Sequence, residues 1–308
     1  MKIVFFGTAN VALPILEALK KQHEIAAVVT TPDAVAGREQ ELSESPVSAL
    51  AKDLKLKIFK PESLKNNPEL LRELKNLDAD IFVVVAYGKI LPEEVINLPK
   101  LKTVNVHPSL LPKYRGPSPI KHALLNGDAQ TGTTVMVIGP ELDNGPVLAQ
   151  EIQEIEPDDN DFTLSDKLSK LSAQLLVKTL DRYANGEIQP QLQDEAAVTY
   201  SKIISKADGK IDWQKTSREI YNQFRAFYLW PGIWTTWKDQ NLKIADCSPI
   251  DYPTPSGALP GTVLEQGVVV CGQGTALQIS RLQLAGKNET GILDFLNGYR
   301  EFVGSKLD

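Results

Sequence analysis

The first two-thirds of the chain alternate short apolar runs with segments of helical periodicity. The run DIFVVVA at 80–86 is unbroken, as expected for a central strand that is covered on both faces. TVNVH at 103–107 and TTVMVIG at 133–139 are further predicted strands, and helices are predicted near 10–21, 46–54 and 164–185. Such alternation predicts an α/β fold with a doubly wound, mostly parallel, Rossmann-like sheet.

The pattern changes after this region. Residues 186–207 are polar and lack a long apolar period, whereas short apolar runs between Pro and Gly residues follow a helix predicted near 216–227. We therefore predict a catalytic domain over 1–188, a linker over 189–207 and a small OB-like β-barrel over 208–308.

Composition and charge narrow the function. The chain has 308 residues, enough for two domains, and its net charge of −6 argues against a general polyanion binder. From residue 208 onward 10 basic and 11 acidic residues give a net charge of −1, which permits an RNA-facing patch there. Without a signal-peptide pattern or an apolar run of roughly 20 residues, we expect no membrane association and a cytoplasmic location. Cys247 and Cys271 have no metal-ligand spacing and predict buried thiols in a reducing compartment.

Three polar residues could carry chemistry. Asn105 and His107 are two apart on one predicted strand, so they share a face, and Asp143 follows the next strand in GPELDNGPV. In acyl transfer, an Asn donor to a developing oxyanion contributes roughly 3–4 kcal/mol. His107 could move a proton, and Asp143 could orient the imidazole. No Ser or Cys nucleophile elbow accompanies them, so direct transfer is favoured over an acyl-enzyme.

Structural alternatives exist for each residue. A single His at a strand end often serves only structure, and Asp is common in turns. His122 is expected in a helix as a packing or surface residue, and His23 at the surface. No pair of histidines has metal-ligand spacing, so no metal is expected. Gly7 in FFGT is not part of a G-x-G-x-x-G pattern, which gives a dinucleotide site little support.

Longer motifs carry a family resemblance. NVHPSLLPKYRGPSPI from residue 105, VVAYGKILP, ELDNGPVL, and DGKIDW with RAFYLWPGIW resemble the methionyl-tRNA formyltransferase family over the whole chain. The resemblance implies that Asn105, His107 and Asp143 are catalytic and that 10-formyltetrahydrofolate is the co-substrate. It further implies a folate-binding wall formed by Ser109, Leu110, Leu111 and Pro112, with Tyr87, Gly88, Lys89 and Ile90 nearby.

The implied acceptor is initiator methionyl-tRNA, formylated for translation initiation in the bacterial cytoplasm by what we expect to be a monomer. Arg38 matches a basic residue of the family loop that enters the acceptor arm, although Glu39, Gln40 and Glu41 stand where Gly-Lys-Lys is common. Exposed basic side chains in the second domain are further candidate tRNA contacts, namely Lys206, Lys210, Arg225 and Lys243.

The sequence leaves two other functions open. A sugar-nucleotide N-formyltransferase would share the catalytic residues, although the Ile-Asp-Trp and Trp-Pro-Gly elements favour tRNA. A non-catalytic RNA-binding protein is the alternative from another class. The aromatic residues near the second domain could stack on RNA but are more easily explained by packing, and they are Trp213, Phe227, Trp230, Trp234 and Trp237.

Overall fold

The structure is a computed structural model that describes residues 1–36 and 41–308. Its contacts divide the described chain into two compact units. The first unit contains Met1–Pro119, Gln130–Glu154 and Ser165–Ser201, and the second contains Ile120–Ala129, Ile155–Leu164 and Lys202–Asp308. Residues 189–201 of the predicted linker therefore fall in the first unit, whereas the domain boundaries predicted from the sequence stay a prediction.

The first unit is built on a β-sheet. The strands of the sheet are β1 Lys2–Gly7, β2 Glu24–Val29, β5 Ile58–Phe59, β6 Ile81–Val85, β7 Thr103–His107, β8 Gln130–Val137 and β9 Val147–Glu154. Two further strands, β3 Ala34–Ala36 and β4 Glu41–Ser43, form a small separate hairpin. In the described part of the chain the sheet has seven strands in the order β5-β2-β1-β6-β7-β8-β9. The pairs from β5 to β7 are parallel, and β8 and β9 are antiparallel. The predicted mostly parallel α/β sheet is confirmed.

Helices occupy the connections between these strands and continue beyond β9. They are α1 Leu13–Gln22, α2 Pro46–Asp53, α3 Pro68–Asn76, α4 Glu93–Ile96, α5 Pro119–Leu125 and α6 Asp161–Ala184. Local sequence explains where two of them begin. The side chains of Ser45 and Asn67 accept hydrogen bonds from the first-turn amides of α2 and α3, and a proline follows each cap.

Both faces of the central strands are buried. Ile3 and Phe5 of β1 pack in one apolar cluster with α1 and α6, while Val4 and Phe6 pack in a second cluster with α3. This alternation explains why β1 and β6 read as continuous apolar runs, because a strand covered on both faces has no polar side. The carboxyl ends of β6 and β7 consequently lie at the same edge of the sheet, where ligands bind in such folds.

The second unit contains a short capped helix and an antiparallel sheet. Its elements are α7 Ser217–Ala226, β10 Ile233–Trp237, β11 Gln240–Ile250, β12 Val268–Val270, β13 Ala276–Leu284, β14 Thr290–Gly291 and α8 Ile292–Gly298. The sheet order is β10-β11-β13-β12, with β14 on β13. Thr216 and Glu219 cap α7 reciprocally, which fixes where it begins.

Two irregular segments close this sheet. The amide of Gly261 donates to Val270 of β12 at 2.8 Å, and the amide of Leu307 donates to Gly261 at 2.9 Å. Asp308 in turn exchanges backbone hydrogen bonds with Thr236 of β10 at 2.9 and 3.1 Å. Because the two edge strands are bridged in this way, the sheet closes into a small barrel, as predicted.

Most of the predicted packing residues of this unit are buried. Trp213, Phe227 and Trp237 are at most 4% exposed, while Trp230 is 51% exposed. The thiols of Cys247 and Cys271 are free and buried, as predicted, and burial raises the pKa of Cys271 to about 12. None of the helices in the described ranges is long and apolar enough to cross a membrane.

Candidate active site

Asn105 and His107 lie on the last three residues of β7, between β6 and β8. Val104 and Val106 of the same strand pack in the apolar core, so the alternation of β7 directs Asn105 and His107 to the opposite face. Asn105 is half-buried, whereas His107 is only 5% exposed. The strand thus presents an amide and an imidazole side by side at the ligand-binding edge of the sheet.

The imidazole of His107 is fixed by a backbone carbonyl. Its Nε2 atom lies 2.9 Å from the carbonyl oxygen of Tyr114. Because a carbonyl oxygen can only accept, Nε2 carries the hydrogen and donates it. The other ring nitrogen, Nδ1, lies 3.6 Å from Oδ2 of Asp143, which is longer than a hydrogen bond. Nδ1 is therefore the atom that can exchange a proton with a substrate beside the Asp143 carboxylate.

Asp143 reaches His107 from the loop between β8 and β9. Its φ of 50° lies in the left-handed region, which Asp tolerates in turns better than most residues with a side chain. The amide of Gly116 donates to its Oδ2 at 2.8 Å. The structure therefore brings together His107 and Asp143, with Asn105 two residues from the histidine on the same strand.

The predicted folate-binding wall is the loop that follows β7. The Ser109 hydroxyl donates to the Lys113 carbonyl at 2.6 Å, and the peptide between Leu111 and Pro112 is cis. Thr134 of β8 links two points of this loop: its hydroxyl donates to the Ser109 carbonyl at 2.6 Å and accepts from the Leu111 amide at 3.1 Å. Side chains from β8 thus determine the course of the loop.

Leu110 of the same loop depends on a glycine. It is half-buried against Gly132 of β8, where a Cβ atom would overlap Leu110. Gly132 therefore leaves the space in which this side chain lies.

The second predicted folate segment follows β6. Tyr87 is 2% exposed, packs edge-on against Phe6, and its hydroxyl has no hydrogen-bond partner among the described residues. Burial raises its pKa to about 12, so this hydroxyl stays protonated at neutral pH. Lys89 donates to the carbonyls of Pro61 and Glu62, while Ile90 is 92% exposed.

The two predicted folate segments follow neighbouring strands. They begin at the carboxyl ends of the adjacent, parallel strands β6 and β7. Ile90 is exposed, and Leu110 and Pro112 are half-buried. Their role in folate binding stays a prediction.

The candidate tRNA contacts differ in exposure. Lys206, Lys210 and Lys243 are exposed, as expected. The expectation that Arg225 is exposed is wrong: it is 6% exposed, and its guanidinium donates to the Asp159 carbonyl at 3.1 Å and to the Asn222 side chain at 2.7 Å. This arginine satisfies backbone and side-chain acceptors within the second unit. Arg38 lies outside the described residues, as do Glu39 and Gln40.

Sequence reasoning missed residues that support the site. Arg115 is 2% exposed and lies inside the motif after β7, but nothing in the motif indicates its burial. Gln193 donates to the backbone carbonyl of Asp143 at 2.7 Å, from a segment that was predicted to be a linker. A polar side chain in a polar segment gives no sequence signal for such a contact. In the described part of the chain no group of His, Cys, Asp or Glu could hold a metal ion.

Comparison with known proteins identifies the family. A formyl transferase family model matches residues 1–180, and the model of the formyl transferase C-terminal domain matches 203–300. The methionyl-tRNA formyltransferase of Sulfurihydrogenibium sp. is 41% identical over 100% of both chains, and that of Caldanaerobacter subterraneus is 42% identical over 100% of both. The enzyme of that name from Enterococcus faecalis is 39% identical and covers 99% of this chain and 98% of its own.

Two solved structures share the fold. One is a sugar 3N-formyl transferase, WlaRD, studied in the presence of dTDP and 5-N-formyl-THF; it is 24% identical, with a TM-score of 0.68, over 94% of this chain and 99% of its own. The other is an N-formyltransferase from Helicobacter canadensis in complex with folinic acid and dTDP-3-aminofucose. It is 22% identical, with a TM-score of 0.67, over 94% of this chain and 100% of its own. From the full-length matches at 39–42% identity and the two family models, the chain belongs to the methionyl-tRNA formyltransferase family.

Proposed function

We propose that this protein transfers the formyl group of 10-formyltetrahydrofolate to the amino group of initiator methionyl-tRNA, for translation initiation. The observation that carries the proposal is the convergence of His107 and Asp143, 3.6 Å apart, beside Asn105 in a chain of this family. An amide donor can stabilise the oxyanion of direct acyl transfer to an amine, and an imidazole beside a carboxylate can hold or move the proton.

The reaction proceeds through a tetrahedral intermediate. The neutral methionyl amine attacks the formyl carbon, and the carbonyl oxygen becomes negatively charged. Asn105 donates a hydrogen bond to this oxygen, and His107, through Nδ1, adds a second donor when it is protonated. Asp143 stabilises that protonated imidazole. As the carbon–N10 bond breaks, the proton lost by the amine returns to N10, and tetrahydrofolate leaves.

The hydrogen bond from His107 to the Tyr114 carbonyl supports this division of roles. The Nε2 hydrogen of His107 is used by the Tyr114 carbonyl, so only Nδ1 can alternate between protonated and neutral forms at the reacting centre. The imidazole is therefore already in the tautomer that the reaction needs. Electrostatic catalysis depends on such preorganised groups, because they do not have to reorient during the reaction.

The donor and acceptor are assigned from different observations. The sugar N-formyltransferases of similar fold were studied with formylated folates, which supports a folate donor on the loops after β6 and β7. The names of the full-length relatives support methionyl-tRNA as acceptor. The exposed Lys206, Lys210 and Lys243 are our proposed tRNA contacts in the second unit, together with Arg38 in the first. A monomeric state and a bacterial cytoplasmic location stay predictions.

A single-turnover experiment tests the proposal. Methionyl initiator tRNA is mixed with 10-formyltetrahydrofolate and wild type, Asn105→Ala, or Asn241→Ala, which changes an exposed asparagine on β11. We expect transfer by wild type and by Asn241→Ala, and a rate about 10²–10³-fold lower for Asn105→Ala, the usual loss when an oxyanion donor is removed.

One outcome would contradict the proposed function, and another would contradict only the role of Asn105. A folded wild type that formylates a dTDP-amino sugar but not methionyl-tRNA would establish the sugar-nucleotide alternative. Equal rates for Asn105→Ala and Asn241→Ala would remove Asn105 from the oxyanion site while leaving the reaction itself in place.

A further inference from the structure

Residues 199–201 form a ladder of hydrogen bonds along the loop that follows β7. The amide of Arg115 donates to the Thr199 carbonyl at 2.9 Å, and the amide of Ser201 donates to the Arg115 carbonyl at 2.8 Å. The amide of Tyr114 donates to the Thr199 hydroxyl at 2.9 Å. The same loop supplies the carbonyl that fixes His107 and the Gly116 amide that binds Asp143. Residues 199–201 therefore fix the loop at 114–116, and this loop in turn fixes the side chains of His107 and Asp143.

Gln193 joins this ladder to the Asp143 loop. Its Nε2 donates to two backbone carbonyls, that of Asp143 at 2.7 Å and that of Gly145 at 2.8 Å. Its Oε1 accepts from Nε of Arg115 at 3.0 Å. The carboxamide nitrogen thus donates both of its hydrogens to the Asp143 loop. Its oxygen accepts from Arg115, which belongs to the loop that fixes His107. Only a neutral amide can donate and accept in this way.

Arg115 is anchored in turn by Glu195. The guanidinium, 2% exposed, donates through Nη2 to one carboxylate oxygen of Glu195 at 2.7 Å and through Nη1 to the other at 3.3 Å. These hydrogen bonds lower the pKa of Glu195, so the pair stays ionised at neutral pH. A bidentate pair restricts rotation of the guanidinium and therefore aims Nε at Gln193.

We propose that Gln193 is a positioning residue for formyl transfer: it sets the orientation of Asp143 toward Nδ1 of His107. The inference rests on the proposed function of the Asn105, His107 and Asp143 site. Two hydrogen bonds hold Asp143 at its two ends: the Gly116 amide donates to its carboxylate, and the Gln193 side chain donates to its backbone carbonyl. Loss of the second contact frees the loop to rotate and moves the carboxylate away from the imidazole.

Gln193→Glu tests this role with little change in shape. The variant keeps an oxygen for Arg115 but replaces the donor to Asp143 and Gly145 with a second oxygen, which is repelled by both carbonyls. Gln191→Glu is the matched control, since it makes the same change at an exposed side chain two residues away. Gln193→Ala removes the contacts without adding charge and serves if the glutamate variant does not fold.

The measurements are kcat per folded molecule, KM for 10-formyltetrahydrofolate, and the pH profile of kcat. We expect kcat to fall about 10- to 100-fold in both Gln193 variants, as for other residues that orient a catalytic group, with KM changed less than about 3-fold. The pH at half-maximal kcat should also shift. Gln191→Glu should match wild type in all three measurements. A kcat per folded molecule equal to that of wild type, or a change confined to KM, would overturn the inference.

A spectroscopic readout separates this inference from the proposed function. The chain has three histidines, so the ¹⁵N resonances of His107 can be assigned by comparison with a His107→Gln variant. Gln193→Glu should change the Nδ1 shift of His107, and Gln191→Glu should leave it unchanged, whatever the acceptor is. If wild type does not formylate methionyl-tRNA but the Nδ1 shift differs between wild type and Gln193→Glu, only the proposed acceptor is overturned. If wild type formylates methionyl-tRNA and the shift does not differ, only the role of Gln193 is overturned.

Discussion

The hydroxyl of Thr134 offers a direct test of what shapes the proposed folate-binding wall. It is fully buried, donates to the Ser109 carbonyl at 2.6 Å and accepts from the Leu111 amide at 3.1 Å. It also accepts from Nε2 of Gln150 at 2.8 Å, and this nitrogen in addition donates to the Leu111 carbonyl. Thr134→Val keeps the branched shape and removes all three bonds; the Ser109 carbonyl and the Leu111 amide lose this partner, whereas Gln150 keeps the Leu111 carbonyl. The variant therefore isolates the polar contribution of one atom to the loop.

The size of the effect follows from the groups left without this partner. Ser109 is 0% and Leu111 4% exposed, so water has little access to either. An unsatisfied buried donor or acceptor costs about 1–3 kcal/mol, and two of them predict a loss of about 2–6 kcal/mol in the free energy of unfolding of the first unit. Because the loop then relaxes, we also expect the dissociation constant for the folate donor to rise at least about 10-fold, equivalent to about 1.4 kcal/mol.

Thr131→Val on the same strand is the matched control. Thr131 is 3% exposed, but its hydroxyl has no hydrogen-bond partner among the described residues. The same substitution should there be neutral or slightly stabilising, because it removes a buried polar atom that gains nothing in the fold.

Urea unfolding must be followed with a probe of the first unit. All four tryptophans lie between 213 and 237, so their fluorescence reports the second unit. Far-UV circular dichroism, resolved against the fluorescence transition, gives the stability of the first unit, and folate binding is titrated by calorimetry. Equal stability of Thr134→Val and Thr131→Val would refute the assignment of the loop geometry to this hydroxyl, as would unchanged folate affinity in a destabilised Thr134→Val.

Two further predictions concern backbone geometry and pH. Gly116 has a φ of 117°, and a Cβ there would lie 2.6 Å from the Ser201 carbonyl oxygen, so Gly116→Ala should lower the free energy of unfolding by about 1–3 kcal/mol and reduce turnover by displacing the amide that binds Asp143. Gly186→Ala, where the glycine also has positive φ but open space, should cost only about 1 kcal/mol and leave turnover unchanged, and a thermal melt with a formylation assay compares the two. Burial lowers the pKa of His23, against a weaker opposing effect of Asp181, so the unfolded chain binds this proton more tightly. The contribution of His23 to stability is fully present above its unfolded pKa of about 6.5 and is lost as pH falls through the lower folded pKa. In urea titrations, His23→Gln should therefore lose less stability than wild type between about pH 7 and 5. The same pH dependence of stability in both proteins would contradict this.

The apolar pattern predicted the frame of the first unit well. The unbroken run at 80–86 is β6 at the centre of the sheet, and TVNVH is β7 with the bounds of the quoted letters. These predictions succeed because burial on both faces leaves a signal in every residue of a strand. Strand alternation also placed Asn105 and His107 on one face, since two neighbours on the other face, Val104 and Val106, belong to the core.

Individual charged and titratable side chains were less predictable. His23, expected at the surface, has a side chain that is only 4% exposed, and its Nε2 lies 3.8 Å from the Asp181 carboxylate. Arg225, expected to be exposed, is buried because carbonyls of the second unit accept its hydrogens. In both cases a polar side chain is buried through groups distant in sequence, and composition or periodicity does not report such partners.

The segment around Gln193 shows why part of the site could not be predicted. Its side chain lies 78 residues from Arg115 and 50 from Asp143 along the chain, and most of its partners are backbone atoms, whose positions no side-chain pattern records. A segment that works by satisfying polar groups has no apolar period and therefore has the sequence character of a linker. Hydrophobic burial places β7 and its two candidate catalytic residues, but polar contacts from residues 193–201 determine how His107 and Asp143 face each other. Replacements that preserve the shape of the side chain and change its hydrogen-bonding capacity, such as Gln193→Glu, should accordingly affect the reaction more than they affect the fold.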